Sequence, residues 1–211
     1  MRWGWIPDHA GELLTITLLH LRMTGTAVLF GLLIALPLGL LAFRVPRLKS
    51  AVLGISSLLF TIPSVALFTL LLPVTGLTPT TVIVGLTVYT LVVLVRNTVE
   101  GLESVPPKVA EAARAMGYDR VRTLLTVELP LALPVIMAGL RIATVMTISL
   151  VSVGLVIGQG ALGQLFVDGF QRDFGVPIIA GVVITLVLAL LADGLLIGVQ
   201  RLLTPWQRTG R

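Results

Sequence analysis

Residues 101–130 read GLESVPPKVAEAARAMGYDRVRTLLTVELP, and this polar island between long apolar runs decides what kind of protein the chain is. It is not slack linker. Ser104 is a candidate cap, Pro106 and Pro107 suit a first helical turn, and Gly117 marks where the chain must leave the helix. Val109, Ala112, Ala113 and Met116 recur at i, i+3, i+4 and i+7, so the spacing predicts one small apolar face on a helix too short to cross a bilayer. Asp119 is placed to cap a second short helix ending at Leu129 and Pro130. Two readings follow: an amphipathic hairpin lying on the lipid surface, or a helix docked against another protein. Alanines bury too little area to anchor in lipid but allow close approach of a protein surface, which favours docking.

Outward from the island the sequence is apolar. Of 211 residues 56% are hydrophobic and 12% charged, with a mean hydropathy of +1.03, against about 25% charged in soluble proteins. Crossing the hydrocarbon takes about 20 apolar residues as a helix, and five stretches qualify: 21–43, 51–74, 80–100, 131–157 and 176–203. The whole chain, 1–211, reads as one all-α transmembrane domain, with 101–130 as its polar segment. The first stretch lacks a basic leader and a small-residue cleavage site, so it reads as a retained helix. Leu13 to Leu21 extends it outward as an interfacial segment.

Basic residues set the orientation, because Lys and Arg are held on the cytoplasmic side. Arg44, Arg47, Lys49, Lys108, Arg114, Arg120, Arg122, Arg201, Arg208 and Arg211 fall on one side, ten of the 15 Lys and Arg. Arg2 and Arg172 lie on the other, among Asp8, Glu12, Asp168 and Asp173. An outer N-terminus and an inner C-terminus follow, which requires an odd number of spans. The net charge of +5 is spread between spans rather than clustered, so it does not read as a nucleic-acid surface. There is no Cys and only His9 and His20, too few ligands for a zinc site.

No phosphate-binding GxxxxGK[ST] loop occurs, and no nucleophile is matched with a base, so no catalytic residue is assigned. Gly158, Gly160 and Gly163 match the dinucleotide fingerprint in spacing, but a membrane span precedes them and no acid follows at the right distance, so they read as a tight or re-entrant outer turn. The GxxxG pairs Gly154/Gly158 and Gly194/Gly198 read as helix packing within the chain, with a seam between copies as the alternative. A charge at bilayer depth costs at least about 2.5 kcal/mol. Arg96 and Glu100 can pair at i, i+4. Arg141 and Asp193 either pair across the last two spans, or Asp193 stays protonated, or they face a ligand. Pro37 and Pro63 fall within spans, and Thr61 to Ser64 is the better candidate for a cavity-lining bend.

A resemblance now carries weight. Glu111-Ala112-Ala113, Gly117 six positions after the glutamate, and Leu129-Pro130 eighteen and nineteen after it are similar to the EAA loop of permease subunits of binding-protein-dependent ABC importers. Thr61-Ile62-Pro63-Ser64, Arg96-Asn97-Thr98, Pro130 to Pro134, Gly139-Leu140-Arg141 and Gly158 to Gly163 extend the likeness over nearly the whole chain. Together they resemble the branch that imports osmoprotectants such as glycine betaine, choline or carnitine. Gln159 and Ala161 depart from that branch's GAGGLG pattern.

The resemblance implies a five-helix, methionine-importer-type (type I) ABC permease fold in a bacterial or archaeal cell membrane. It implies that Glu111, Ala112, Ala113, Met116, Gly117, Leu129 and Pro130 couple the chain to a cytoplasmic ATPase. That partner would hold the ATP and Mg, with no cofactor bound directly here. Further implied partners are a second permease, identical or homologous, and an extracytoplasmic substrate-binding protein, beside membrane lipid. Thr61, Pro63, Ser64, Arg96, Asn97, Arg141 and Asp193 are candidates for the translocation path or gate. Other cargoes (amino acid, sulfonate or phosphonate) and an ATP-independent carrier or channel are the rival readings.

Overall fold

A computed structural model describes residues 3–208, with side chains through Trp206. Arg2 and Arg211, and the Arg208 side chain, lie outside the described residues. Regular structure among the described residues is helical: α1 (Trp5–Asp8), α2 (Ala10–Arg44), α3 (Pro46–Thr61), α4 (Ser64–Thr75), α5 (Pro79–Glu103), α6 (Pro107–Ala115), α7 (Arg120–Thr123), α8 (Leu129–Val151), α9 (Gln164–Gln171) and α10 (Gly175–Leu203). A π turn at Leu124–Glu128 joins α7 to α8, and a 3-10 segment, Ser152–Ile157, follows α8.

Four helical runs are long and apolar enough to cross a membrane: α2, α5, Arg120–Ile157 and α10. The second expected span differs. Instead of one helix over 51–74, α3 and α4 meet at an angle of 96°. At 1.5 Å per residue they are about 24 and 18 Å long, each short of the roughly 30 Å hydrocarbon layer. Pro63 is the cause: it has no N–H to continue α3, and the preceding Ile62 is driven to an extended ψ of 123°. Counted as one broken span, the pair brings the crossings to five.

The segment from Leu13 to Leu21 continues the first crossing without a break, as part of one 35-residue helix with His20 fully buried. Two further expectations are corrected. Ser104 does not cap the island's helix; its hydroxyl donates to the Gly101 carbonyl at 2.7 Å and closes α5, while Pro106 takes the cap position. The second island helix does not end at Leu129. Thr123, Leu124, Glu128 and Leu129 all keep right-handed helical angles, so α7 runs through the π turn into the fourth crossing. Pro130 lacks the N–H that the preceding turn would receive, and the wider turn is the local adjustment. Asp119 does cap α7, accepting from the Arg122 N–H at 2.7 Å.

The core forms around α5, over half of whose apolar window is buried. Ala27, Gly31, Ala35 and Gly39 place a small residue at every fourth position of α2 against it, and all four are buried. A Cβ at Gly31 would lie 1.9 Å from Thr90 Oγ1, and one at Gly39 2.6 Å from Thr98 Cβ. Thr90 and Thr98 bond their hydroxyls back to their own helix, to Thr87 and Leu94 carbonyls, so neither hydroxyl is left unpaired beside the glycines. Of the GxxxG pairs, Gly154 packs within the chain against Val82 and Gln159, whereas Gly158, Gly194 and Gly198 meet nothing within 4 Å, contrary to the packing expected of them.

The two ends of the bundle sort the polar segments. Lys49 bonds Glu103 at 2.5 Å and Arg44 bonds Glu128 at 2.8 Å, gathering the 44–50 and 101–130 segments at one end. Leu203 and Trp206 line a groove with Leu125 and Leu129 at that same end. At the other, Gln159 Nε2 donates to the Leu77 carbonyl at 3.2 Å, and Trp5 and Ile6 pack near Leu162 and Leu165. The described N- and C-terminal segments therefore lie at opposite ends.

Candidate coupling segment and membrane path

At the basic end α6 is held by its inner side and open on its outer one. Ala110 and Ala113 are buried, while Val109, Glu111, Ala112 and Met116 are exposed, Met116 at 70%. The expected face of Val109, Ala112, Ala113 and Met116 is thus divided. Ala113 belongs with Ala110 against the bundle, and Val109, Ala112 and Met116 form an outward strip. The inner side lies along a groove of about 450 Å³ whose walls include Phe43, Leu102, Val105 and Glu128. A nine-residue helix has little stability of its own, so this packing is what holds it.

Gly117 ends α6 with φ +88°, in the left-handed region. Tyr118 N–H reaches back to the Ala113 carbonyl at 3.1 Å, closing the helix end. The Arg122 guanidinium then lies 4.1 Å over the Tyr118 ring, fixing the turn between α6 and α7. Leu129 and Pro130 do not touch the outward strip; they form the root of α8, beside Leu36 and Leu203. α7 and the π turn join α6 to that root.

Glu128, not among the residues expected to matter, is the brace. Its side chain is 5% exposed and accepts from Arg44 Nη2 at 2.8 Å. Arg44 also reaches the Arg120 carbonyl at 3.4 Å. Its signal was an acid standing directly before Leu129-Pro130, at the end of a polar segment that enters an apolar run. Around it Arg44, Arg114 and Arg120 line one groove with Val121 and Leu124, so the surface next to α6 is strongly basic.

The residues proposed for the path fall into separate places. Thr61 donates to the Leu58 carbonyl at 2.7 Å at the end of α3, and Pro63 and Ser64 form the corner itself. The Tyr89 hydroxyl donates to the Ile62 carbonyl and pins that corner to α5, with Phe60 edge-on at 5.5 Å. Asn97 is half-buried where α5 meets α8; a Cβ at Gly139 would lie 2.4 Å from its own Cβ. Arg96 and Glu100 stand 3.9 Å apart, each about 60% exposed, on an outward strip of the otherwise enclosed α5. Arg141 and Asp193 pair through two bonds of 2.7 and 2.9 Å between α8 and α10.

Four long apolar helical runs, a broken fifth and an exposed short helix rooted into one of them are the frame of an α-helical membrane protein. The family model described as the binding-protein-dependent transport system inner membrane component matches residues 27–205. The chain belongs to this family of ABC-importer permeases. It is 40% identical over 208 residues to the osmoprotectant import permease protein OsmW of Salmonella typhimurium, covering 95% of this chain and 96% of that one. It is 39% identical over 187 residues to the glycine betaine/carnitine/choline transport system permease protein OpuCD of Bacillus subtilis, covering 88% and 82%. Among solved structures it resembles a chain of the MetNI methionine ABC transporter, with a TM-score of 0.83 at 25% identity over 92% of this chain and 97% of that one. The fold is that type I permease fold.

Proposed function

We propose that the chain is the permease subunit of an ATP-driven importer for osmoprotectants such as glycine betaine, choline or carnitine. The cargo follows from the curated relatives, which are 39–40% identical over most of their length. The observation that carries the coupling mechanism is the outward strip of Val109, Ala112 and Met116 on a helix whose other side is locked to the bundle. In this reading the end holding 44–50, 101–130 and the C-terminal segment is cytoplasmic, and a cytoplasmic ATPase carrying ATP and Mg receives α6. Glu111, Ala112, Met116 and Gly117 meet it. Ala113 transmits to the bundle, and Leu129-Pro130 hands the displacement to α8. Its closure tilts the crossings between two packings, which opens the path alternately to each side.

A second permease, identical or homologous, completes the path, and an extracytoplasmic binding protein delivers cargo to the end holding Leu77 and Gln159. The complex sits in the cell membrane of a bacterium or archaeon. The corner at Thr61, Pro63 and Ser64 serves as the gate, and Arg96 and Glu100 face water rather than lipid, which avoids the cost of exposing charge to hydrocarbon. Asn97 holds α5 and α8 together beside them. The rival cargo is an amino acid, favoured by the likeness to the methionine transporter chain. Uptake into vesicles carrying the assembled importer, with glycine betaine, choline, carnitine and methionine as competitors, tests the proposal. Competition by the quaternary compounds supports it, and competition by methionine alone refutes it.

A further inference from the structure

Two grooves of about 440 Å³ each open side by side at the π turn between α7 and α8. Arg44, Arg114 and Arg120 line the first with Val121 and Leu124, and no acid stands in its walls among the described residues. Glu128 neutralises Arg44, while neither Arg114 nor Arg120 pairs with a carboxylate among the described residues, so the groove keeps a positive sign. The second groove begins at Leu125, the next residue along the chain, and no charged side chain lines it. Leu32 and Leu36 of α2 and Leu133 and Leu140 of α8 form its walls, with Leu203 and Trp206 at the basic end. Leu140 stands eleven residues past Leu129, about 16 Å along α8, which is the depth of one leaflet of a layer about 30 Å thick. Val121 and Leu125, one turn apart at the junction, are 65% and 57% exposed.

A basic mouth that continues into an apolar slot selects its occupant by charge and by depth. A soluble ATPase reaches the arginines but not Leu133 or Leu140, which lie within the layer. A second copy standing beside this one in the same orientation presents its own basic end at the same level, so like charges meet there. The translocation path belongs to other elements. Thr61, Ser64, Arg96 and Asn97 sit on α3, α4 and α5, and none of these helices lines either groove. A cargo with a quaternary ammonium is moreover repelled by the arginines.

We propose that the two grooves together hold one anionic phospholipid from the leaflet at this end. Its phosphate lies on Arg114 and Arg120, and one acyl chain runs along Leu133 to Leu140. Arginine suits this task because its planar fork of donors matches phosphate oxygens, and basic pockets between crossings at a membrane surface take anionic headgroups. Trp206, 42% exposed, stands at the level where an amphipathic ring favours the headgroup region. A zwitterionic phospholipid fits the apolar slot equally well but gains less from the arginines, so the headgroup charge sets the preference. The lipid lies against the junction of α7 and α8 whichever cargo the importer carries.

The test uses the assembled importer in vesicles of mixed phosphatidylcholine and phosphatidylglycerol. The probes are photoactivatable forms of the two lipids, each with its reactive group in the acyl chain. Phosphatidylglycerol is expected to label residues 133–140 about tenfold more than phosphatidylcholine does, as two arginines acting on one headgroup should give. Arg114→Gln with Arg120→Gln leaves Arg44 and its bond to Glu128 in place, and is expected to bring the two probes within about twofold of each other at 133–140. Leu133→Trp narrows the slot without touching the arginines and is expected to lower labelling there by both probes. Equal labelling of 133–140 by the two probes in the unsubstituted importer overturns the site, whatever the variants do. A phosphatidylglycerol preference that survives both glutamine replacements overturns it as well. Loss of the ATPase or of the second permease from the glutamine variant, with the preference unchanged, assigns the arginines to that protein and refutes the lipid.

Discussion

Arg44 at the last turn of α2 donates to Glu128 at 2.8 Å, and so ties the first crossing to the π turn that opens the fourth. The two ends of this bond are unequally exposed, 34% for the arginine and 5% for the glutamate. Removing the arginine strands a buried carboxylate; removing the carboxylate frees an arginine that reaches water. Arg44→Ala is therefore expected to cost about 1–3 kcal/mol and Glu128→Gln no more than about 1 kcal/mol. Thermal unfolding of the detergent-solubilised chain measures the order, and the reverse order contradicts the brace.

Gly117 holds φ +88° with open space where a Cβ would stand. Within this chain the cost of a side chain there is conformational, about 1–2 kcal/mol, and Asn is milder than Ala because it tolerates the left-handed region. Gly117→Leu should insert normally and keep basal hydrolysis in the complex, yet lose uptake, because the side chain stands in the contact. Uptake and stimulated hydrolysis at the unsubstituted level would remove Gly117 from the coupling surface.

The glycines divide by what faces them. Gly31→Ala drives a methyl into Thr90 and is expected to cost about 1–3 kcal/mol, whereas Gly194→Ala meets nothing within 4 Å and should stay within about 0.5 kcal/mol in the separated chain. A loss at Gly194 that appears only in the assembled importer locates a seam between copies.

Tyr89 pins the corner between α3 and α4 through the Ile62 carbonyl. Tyr89→Phe keeps the ring against Phe60 and removes that bond, at about 0.5–1.5 kcal/mol. Spin labels on α3 and α4 should report a broader distance distribution in the variant; an unchanged distribution means that Pro63 alone sets the angle.

What could be read from sequence followed from patterns with one physical meaning. A run such as VPIIAGVVITLVLALLADGLLIGVQRLL, residues 176–203, has only one low-energy place to be, and α10 matched it to within a residue. The island at 101–130 carried Gly117 and Asp119, whose roles at the end of α6 and the start of α7 are set by local backbone chemistry. The 96° corner was not legible, because Pro63 announces a break but not its angle, and the Tyr89 hydroxyl that holds the Ile62 carbonyl comes from another helix. The divided face of α6 was hidden for a related reason. Ala112 and Ala113 are the same residue type, and only the approach of α5 and Glu128 decides which one turns inward. Glu128 itself was passed over, because its partner lies 84 residues away.

The central claim is that the outward strip of α6 meets an ATP-hydrolysing partner. The sequence contains no Cys, so single cysteines report without background. Cysteine at Ala112 or Met116, exposed on that strip, is expected to cross-link to the ATPase subunit in a nucleotide-dependent manner, while cysteine at the buried Ala110 or Ala113 is not. Cross-links from Ala112 and Met116 that reach only lipid, in every nucleotide state, contradict the account.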